Sequence, residues 1–512
     1  MTGAGPLRVV VIASRSQLRW RSLRFLIDGL SGPLGLAGLF AGPAGRGDGG
    51  KWVPALAAAE RAVFAAGQAG AAAEVQVLPA GPAELPACDV IVDFRAGPVP
   101  AALAARAEFG VWQCSCHDTG IVAAAVMGGA SALECRVLCQ AGPSPVLRLL
   151  AGAVVQTKVT IAHSQVFASE KSVQMILREL RRLALTGILP DHGLVPNGAA
   201  YPGLAQLPGY AGRVAGRAAR KLRARILAPE PQPFALRTGK GDLLQLDPGE
   251  GTDIPLPGNT FCADPFLIER GGEVYCFYEA FPYSRRRGHI AAARLTADGA
   301  EELGPALAAD YHLSFPFLFE SGGDLFMLPE TIQAERIEIW RCVAFPLKWQ
   351  LHATALEGVR LGDPVLFQQG DAWWLFANSC HDSFGDFSSE LSLFRTDGPG
   401  LTQIEPHPLN PVVVGSDTAR SGGQVFTRDG RLYRLSQDNS GAVYGYGLNL
   451  MEITELSETA YSEQRVAHYT PDRIPGAIGL HHADAAGGRF VVDVRWPRPP
   501  GAGAGRSSRK SR

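Results

Sequence analysis

The chain has 512 residues, 46% of them hydrophobic and 19% charged, with a formal net charge of −1. That length suggests two to four domains, the composition excludes a disordered chain, and the balanced charge gives no global reason to expect nucleic-acid binding. No run of 18 apolar residues occurs and residues 1–6 lack the charged-then-apolar pattern of a secretory signal, so neither a membrane span nor a leader is expected.

In chain order, residues 7–13 are a β-branched run that reads as a buried strand, followed by Leu23, Phe25, Leu26 and Leu30 at roughly helical spacing. Further strands are expected at 74–78, 89–94 and 110–114, with an Ala-rich helix over 100–108. Strands alternating with helices imply a mainly parallel α/β sheet, with ligands beyond the strands' carboxyl ends. Asp93, Arg95, His117 and Asp118 are the polar groups nearest such a crevice. Nine cysteines lack framework spacing; Cys114/Cys116 and Cys135/Cys139 are close enough in sequence to consider a metal, but buried free thiols in a reducing cytoplasm are the expectation. No metal site and no cofactor are read.

This layout resembles the formyltransferase-type Rossmann domain of enzymes that use formyl-tetrahydrofolate. The run Gln113-Cys-Ser-Cys-His-Asp118 lacks that family's Asn-x-His pair, and no acid falls in 143–153 where its later Asp belongs. Without a positioned base and oxyanion donor the chemistry has no machinery, so a degenerate domain kept for structure or docking is expected over 1–187. Its last element, at 169–185, reads as an amphipathic helix stopped by Gly187.

Residues 188–258 are rich in Gly and Pro and read as a connector. Within it Arg213, Arg217, Arg220, Lys221, Arg223 and Arg225 occur without an acid, either as a solvated helix or as a foothold on anionic lipid headgroups. A further basic run, 506–512, ends a tail over 498–512 that is expected to be disordered.

The second half repeats itself. Asp264-Pro-Phe-Leu-Ile-Glu-Arg-Gly-Gly, Phe315-Pro-Phe-Leu-Phe-Glu-Ser-Gly-Gly and Asp363-Pro-Val-Leu-Phe-Gln-Gln-Gly each open an apolar strand, a tight turn and a second strand. Weaker copies begin at 422 and 479, so the period is about 50–60 residues, with room for two more strands per copy, as at 289–295 and 335–342. Five such units close a five-bladed β-propeller over 259–497 and remove the sheet edges.

In a propeller the first strand of each blade is innermost, and a hairpin returns the second strand to the same mouth. First positions are Asp264, Phe315, Asp363 and Gly422; fifteen residues later stand Glu279, Glu330, Asn378 and Gln437, the last beside Asp438. A ring of acids and amides around one axis suits glycosyl chemistry, in which one carboxyl protonates the leaving oxygen and another acts as base. The competing reading is that some of these acids hold blade turns together. Trp373, Tyr278, Tyr283, His312, Arg420, Tyr444, His481 and His482 are nearby candidates for holding a sugar, although the adjacent Trp373 and Trp374 read first as packing.

Phe261-Cys-Ala-Asp-Pro-Phe, His312-Leu-Ser-Phe-Pro-Phe, Met327-Leu-Pro-Glu-Thr, Phe345-Pro-Leu-Lys-Trp, Arg420-Ser-Gly-Gly and Gln437-Asp-Asn-Ser-Gly resemble the propeller domain of plant glucosamine inositolphosphorylceramide transferases. The same region is more distantly similar to family 43 glycoside hydrolases. The resemblance implies a carbohydrate-active role in surface polysaccharide or glycolipid assembly. By the hydrolase pattern Asp264 would be base, Asp363 a pKa-tuning acid and Glu330 the general acid, with Glu279, His312, Asn378, Arg420, Asp438, Tyr444 and His482 binding substrate. Three readings stay open: glycosyl transfer, glycoside hydrolysis, and a non-catalytic sugar-binding scaffold for a partner glycosyltransferase. The expected partners are a carbohydrate or sugar-lipid and, through 213–225, an anionic membrane face, with no nucleic acid; the expected location is the cytoplasm, at or near the inner membrane surface.

Overall fold

The structure, a computed structural model, describes residues 5–43, 52–64, 75–79, 81–142, 146–195, 201–227, 233–255, 259–297, 299–441 and 443–497. The expected tail over 498–512, and Glu74 at the head of an expected strand, lie outside these. No helix among the described residues is long and apolar enough to cross a membrane.

The first half is an α/β domain around one eight-stranded sheet. Leu7–Ser14 is central and pairs in parallel with Leu34–Gly42 on one side and Val90–Asp93 on the other. Gln76–Val77 and Val111–Cys114 extend the parallel part outward. The sheet then turns antiparallel through Ala132–Gln140, Leu147–Gln156 and Leu194–Val195. The β-branched run at Val9–Ile12 is wholly buried because helices cover both faces of a parallel sheet. The Ala-rich helix shrinks to one turn, Ala101–Ala104.

The helix read as amphipathic is longer and differently placed. It runs from Ile161 to Thr186, capped by Thr160 and ended by Gly187 in the left-handed conformation. Most of it is buried, polar residues included, because the propeller covers the face that the α/β domain leaves open. Lys171, fully buried, reaches 2.7 Å from Asp382 and 2.6 Å from Glu390 of the propeller. Arg178 and Arg181 donate to the carbonyls of Val412 and Asn410.

Five further sheets follow, one per blade. Blade 1 is Thr260–Arg270, Glu273–Pro282, His289–Thr296 and Gly299–Leu307; blade 2 is Ser314–Ser321, Asp324–Glu330, Ile337–Ala344 and Lys348–Ala355. Blade 3 runs from Gly362–Gln369 through Ala372–Asn378 and Glu390–Thr396 to Ile404–Pro406, and blade 4 from Ser421–Arg428 through Arg431–Asp438 and Gly447–Leu456 to Tyr461–Tyr469. Blade 5 closes the ring with strands from both ends: Gly479–Ala486 and Arg489–Arg495 are joined by Phe234–Lys240 and Thr252–Asp253. The stretch 188–258, expected as a connector, therefore holds this closing strand as well as the basic helix Leu207–Leu227.

The inner hairpins use two-residue turns. Gly271-Gly272, Gly322-Gly323, Asp429-Gly430 and Gly487-Gly488 all take positive φ at both positions, the backbone whose twist matches the strands it joins. Each innermost strand also carries a break in register, between Ala263 and Phe266 in blade 1, Ser314 and Phe317 in blade 2, and Gly362 and Val365 in blade 3. Pro265, Pro316 and Pro364, which have no N–H to give the ladder, sit in these breaks, and blades 4 and 5 break at the same place without a proline, between Ser421 and Val425 and between Leu480 and Ala483. The residues before the prolines, Asp264, Phe315 and Asp363, take φ of 51°, 47° and 43°. A non-glycine residue held there costs about 1–3 kcal/mol and survives only where its surroundings over-determine it. In each case the bulge aims that side chain at the axis.

Candidate functional site: the propeller axis

Five carboxyl groups and two cationic side chains gather where the bulges point. Arg420, almost wholly buried, lies between two acids: its Nε is 2.7 Å from Asp363 and its Nη2 3.4 Å from Glu330. Burial opposes the guanidinium charge, but Asp363 first, and then Glu330 and Asp264, hold its pKa above the ordinary arginine value. On the other side His481 sits between Asp493, 2.9 Å from its Nδ1, and Asp264, 3.2 Å from its Nε2. Burial works against the imidazolium; the two carboxylates override it and raise the pKa to about 10. Burial would likewise raise Asp264, but the hydrogen bond and charge of His481 bring it down to about 2. Asp264 is therefore ionised at neutral pH.

Glu279 is the opposite case. Burial, with Asp264 and Glu330 nearby, pushes its carboxyl well above the usual range. His312 Nε2 approaches it at 3.3 Å, and burial holds that imidazole below its ordinary pKa. Gly288 makes this contact sterically feasible: a Cβ there would stand 2.7 Å from both Glu279 Oε1 and the His312 ring. Burial pushes Asp363 up in the same way. Nearby carboxyls whose surroundings drive their pKa values apart can serve as acid and base in proton transfer. Ligating atoms of Asp264, His481 and Asp493 also lie within 4.8 Å of one another, a spacing a divalent cation can bridge; here the imidazole meets both acids instead.

Aromatic rings frame these charges. The guanidinium of Arg420 stands 5.4 Å from the ring centroid of Tyr444, which is 41% exposed and lies 5.4 Å from the ring of His481. From His481 the rim continues through Phe234 (4.6 Å), Phe261 (6.2 Å further) and Phe281 (4.7 Å, stacked) to His312 at 5.9 Å. The half-buried Phe234, Phe261 and Phe281 escaped the sequence reading. Phe261 was legible only as part of a quoted motif, and Phe234 lies outside every repeat.

Of the residues expected to act, Glu330 and Asp363 meet through Arg420, and Glu330 also accepts from the Asp363 N–H at 3.2 Å. Asp264 faces His481, and Arg420 and Asp264 each bear on the other's charge. Three expected binding residues have other work. Asn378 is fully buried and stitches blades 3 and 4, donating to the Glu390 and Ala419 carbonyls and accepting from Ser421 N–H. Asp438 is turned to Ser440, at 2.6 Å, and to His468, at 3.1 Å. His482 packs edge-on against Phe266 and Phe315, and burial lowers its pKa to about 4, so it is a neutral core residue. The register break in its strand turns it from the mouth and leaves His481 there instead.

In the α/β crevice the polar groups named from the sequence are engaged with one another, with backbone groups or with a packed ring. Gln17 plugs the crevice, accepting from the Ser14 N–H and donating to the Phe94 carbonyl. Asp93 forms a two-point pair with Arg95, Asp118 caps the helix Thr119–Gly128, and His117 stacks on Phe94 with its pKa lowered by burial to about 3. The thiols of Cys114 and Cys116 are buried together and burial raises both.

Comparison with known proteins agrees with the reading of the second half. Residues 250–476 match the family described as "Glucosamine inositolphosphorylceramide transferase 1, N-terminal". The chain is 36% identical over 220 residues to glucosamine inositolphosphorylceramide transferase 1 of Arabidopsis thaliana, covering 42% of this chain and 28% of that protein. It is 33% identical over 272 residues to the protein of the same name from Oryza sativa subsp. japonica, covering 51% of this chain and 36% of that one. Among solved structures, it is similar to a Cellvibrio cellulosa alpha-L-arabinanase bound to arabinohexaose (12% identity, 41% of this chain and 78% of that one, TM-score 0.32). A GH43_1 enzyme from Xanthomonas citri is also similar (14% identity, 49% and 92%, TM-score 0.33). The five-bladed assignment rests on the strand pairing itself. The propeller thus resembles the N-terminal region of glucosamine inositolphosphorylceramide transferases, and the match spans about a third of those proteins' length.

Proposed function

We propose that the propeller axis binds a glycan and transfers a glycosyl group, with Asp264 as the base or nucleophile and Glu279 as the proton donor. One observation carries this: Asp264, ionised beside His481, and Glu279, its carboxyl pushed up by burial, stand beside a rim of aromatic rings and a guanidinium. Sugars are recognised by that combination, the C–H faces stacking on rings and the hydroxyls bridging charged forks. This assignment moves the acid from Glu330 to Glu279, because Glu330 is engaged by Arg420 and by the Asp363 N–H. The names of the matched relatives support a sugar-lipid acceptor, consistent with surface-glycan or glycolipid assembly at a cytoplasmic membrane face.

The test is a glycan array on the purified full chain, followed by turnover of the bound glycan's aryl glycoside with and without an added acceptor alcohol. Binding is expected, lost at least tenfold in Tyr444→Ala and Arg420→Met. Turnover is expected to fall by 10³ or more in Asp264→Asn with binding kept, and product is expected on the acceptor rather than on water. A chain that binds no glycan sinks the proposal. Binding without turnover selects the scaffold reading, which draws its support from the match covering only part of the relatives' length.

A further inference from the structure

The axial site leaves the basic segment unused. Arg213, Arg217 and Arg220 recur on the helix Leu207–Leu227 at spacings of four and three, which places them along one face. Part of that face rests on the α/β domain, although Arg213 and Arg220 stay exposed. Arg213 donates to the Met127 carbonyl, and Arg217 donates to the Lys158 carbonyl at 3.2 Å. Between this helix, the α/β domain and the propeller lies a cavity of about 490 Å³, lined among others by Gln156, Lys158, His163, Arg217, Arg220 and Phe384. Phe384 comes from the propeller's blade 3, so the cavity exists only because the two domains are docked.

Its charges are unbalanced. Lys158 Nζ lies 3.7 Å from the ring centroid of Phe167 and 5.5 Å from that of Phe384, an arrangement that holds a cation without neutralising it. Among the described residues, Lys158, Arg217 and Arg220 have no carboxylate within ion-pair distance. The acids nearest Lys158 are engaged elsewhere: Asp382 by Lys171, and Asp386 by the Ser388 N–H and the Ser389 hydroxyl. By contrast, Lys171, a few turns along the neighbouring helix, has two carboxylates to itself. Asp386 and then Asp382 act on the Lys158 charge without pairing with it, which leaves three cations around one recess with no direct ion pair, and an anionic ligand supplies one.

We propose that this interdomain cavity is a binding site for a phosphorylated small molecule. Two guanidinium forks and an ammonium match the several oxygens of a phosphate or diphosphate better than they match a single carboxylate. The cavity falls within the roughly 300–1,000 Å³ of sites that take ligands larger than a bare anion, and Phe384 supplies a flat wall for the rest of the molecule. The site is separate from the axis but tied to it. Gln156 donates to the Asn439 carbonyl, Asn439 donates to Gln437, and Gln437 donates to Asp363.

Calorimetry on the full chain with inorganic pyrophosphate, at constant ionic strength against a chloride control, tests the site directly. Saturable binding is expected, weakened at least tenfold by Arg220→Ala and lost in Arg217→Ala/Arg220→Ala. Arg220 is exposed, so its replacement leaves the fold intact, and an unchanged melting temperature in the absence of ligand checks this. Cosedimentation with phosphatidylcholine vesicles, with and without phosphatidylinositol phosphate, forms the second arm. Pyrophosphate binding that the double variant retains, or no saturable binding by the wild type, overturns the proposal. Vesicle binding that needs the two arginines, in a protein that ignores pyrophosphate, overturns it in favour of a membrane surface. Neither arm depends on glycan turnover, so failure here leaves the axial reading standing and the reverse holds too.

Discussion

Two clusters of buried charge divide this molecule, one between its domains and one at the propeller axis. Between the domains Lys171 faces Asp382 and Glu390; the second oxygen of Glu390 meets His381 at 2.6 Å, and the second of Asp382 accepts from the Phe384 and Asp386 N–H groups. Glu170 accepts twice from Ser383. Asp382 and Glu390 thus have partners on both oxygens, while the other oxygen of Glu170 is buried with only Arg21 nearby, at 3.9 Å. At the axis five carboxyls face Arg420 and His481, and Glu279 Oε1 is buried without a hydrogen bond among the described residues. A balanced cluster fixes how two bodies sit together, whereas an unbalanced one stores the protonation differences that chemistry uses. The same residue types, buried to the same degree, thus do different work according to whether the charges cancel.

The contrast predicts different failures. Removing one partner from a balanced buried cluster strands the others, so Lys171→Met should cost about 3–5 kcal/mol in urea unfolding. Lys171→Met/Asp382→Leu/Glu390→Leu should regain most of that loss, because no charge is left without a partner. A cost below about 1 kcal/mol for Lys171→Met would mean the cluster does not hold the domains together. At the axis Arg420→Met should cost less, about 2–4 kcal/mol at pH 7.5, and the loss should depend on pH. Burial already pushes the Asp363 carboxyl well above its ordinary range, and without the guanidinium to oppose it Asp363 takes up a proton still more readily in the folded chain. Folding is then favoured as pH falls, so the penalty should shrink towards pH 4.5. An equal penalty at both values would mean that the Arg420 charge does not govern the protonation of Asp363.

What the sequence disclosed follows the same division. The blades were legible because a hairpin is local: an apolar strand, two residues that accept positive φ, and a returning strand lie within about 16 residues. Asp264 and Asp363 were legible because each opens its copy of the repeat, where the innermost strand meets the mouth of the channel. The closing strand Phe234–Lys240 was not, since its partner Arg489–Arg495 lies some 250 residues away and it repeats nothing. Nor was Lys171, whose helix looks amphipathic until the propeller covers its second face. The competing structural reading of the acids was partly right, and at the same positions. Glu330 accepts the Asp363 N–H, Asn378 the Ser421 N–H and Asp493 the Asp264 N–H, each side chain pinning the next blade's bulge. Periodicity locates such positions; it does not tell which of them keep a charge to spare.

His481 offers the finest cut between the two kinds of cluster, because its charge is created by the site. Its folded pKa is near 10 against an ordinary 6.5, so its stabilising effect is complete below about pH 6.5 and is lost as pH rises through 10. Asp264, near 2 against an ordinary 3.8, contributes above about pH 4 and loses its effect as pH falls through 2. The contact between them is therefore strongest from about pH 4 to 6.5. His481→Gln, which keeps a hydrogen-bond donor but no charge, should cost about 2 kcal/mol at pH 6 and progressively less towards pH 9.5. Thermal unfolding of both proteins across that range reads the difference. A gap that stays constant with pH would mean that His481 is held neutral by packing, as His482 is; Asp264 would then lack the cation that keeps it ionised, and the acid and base of the axis could no longer be told apart.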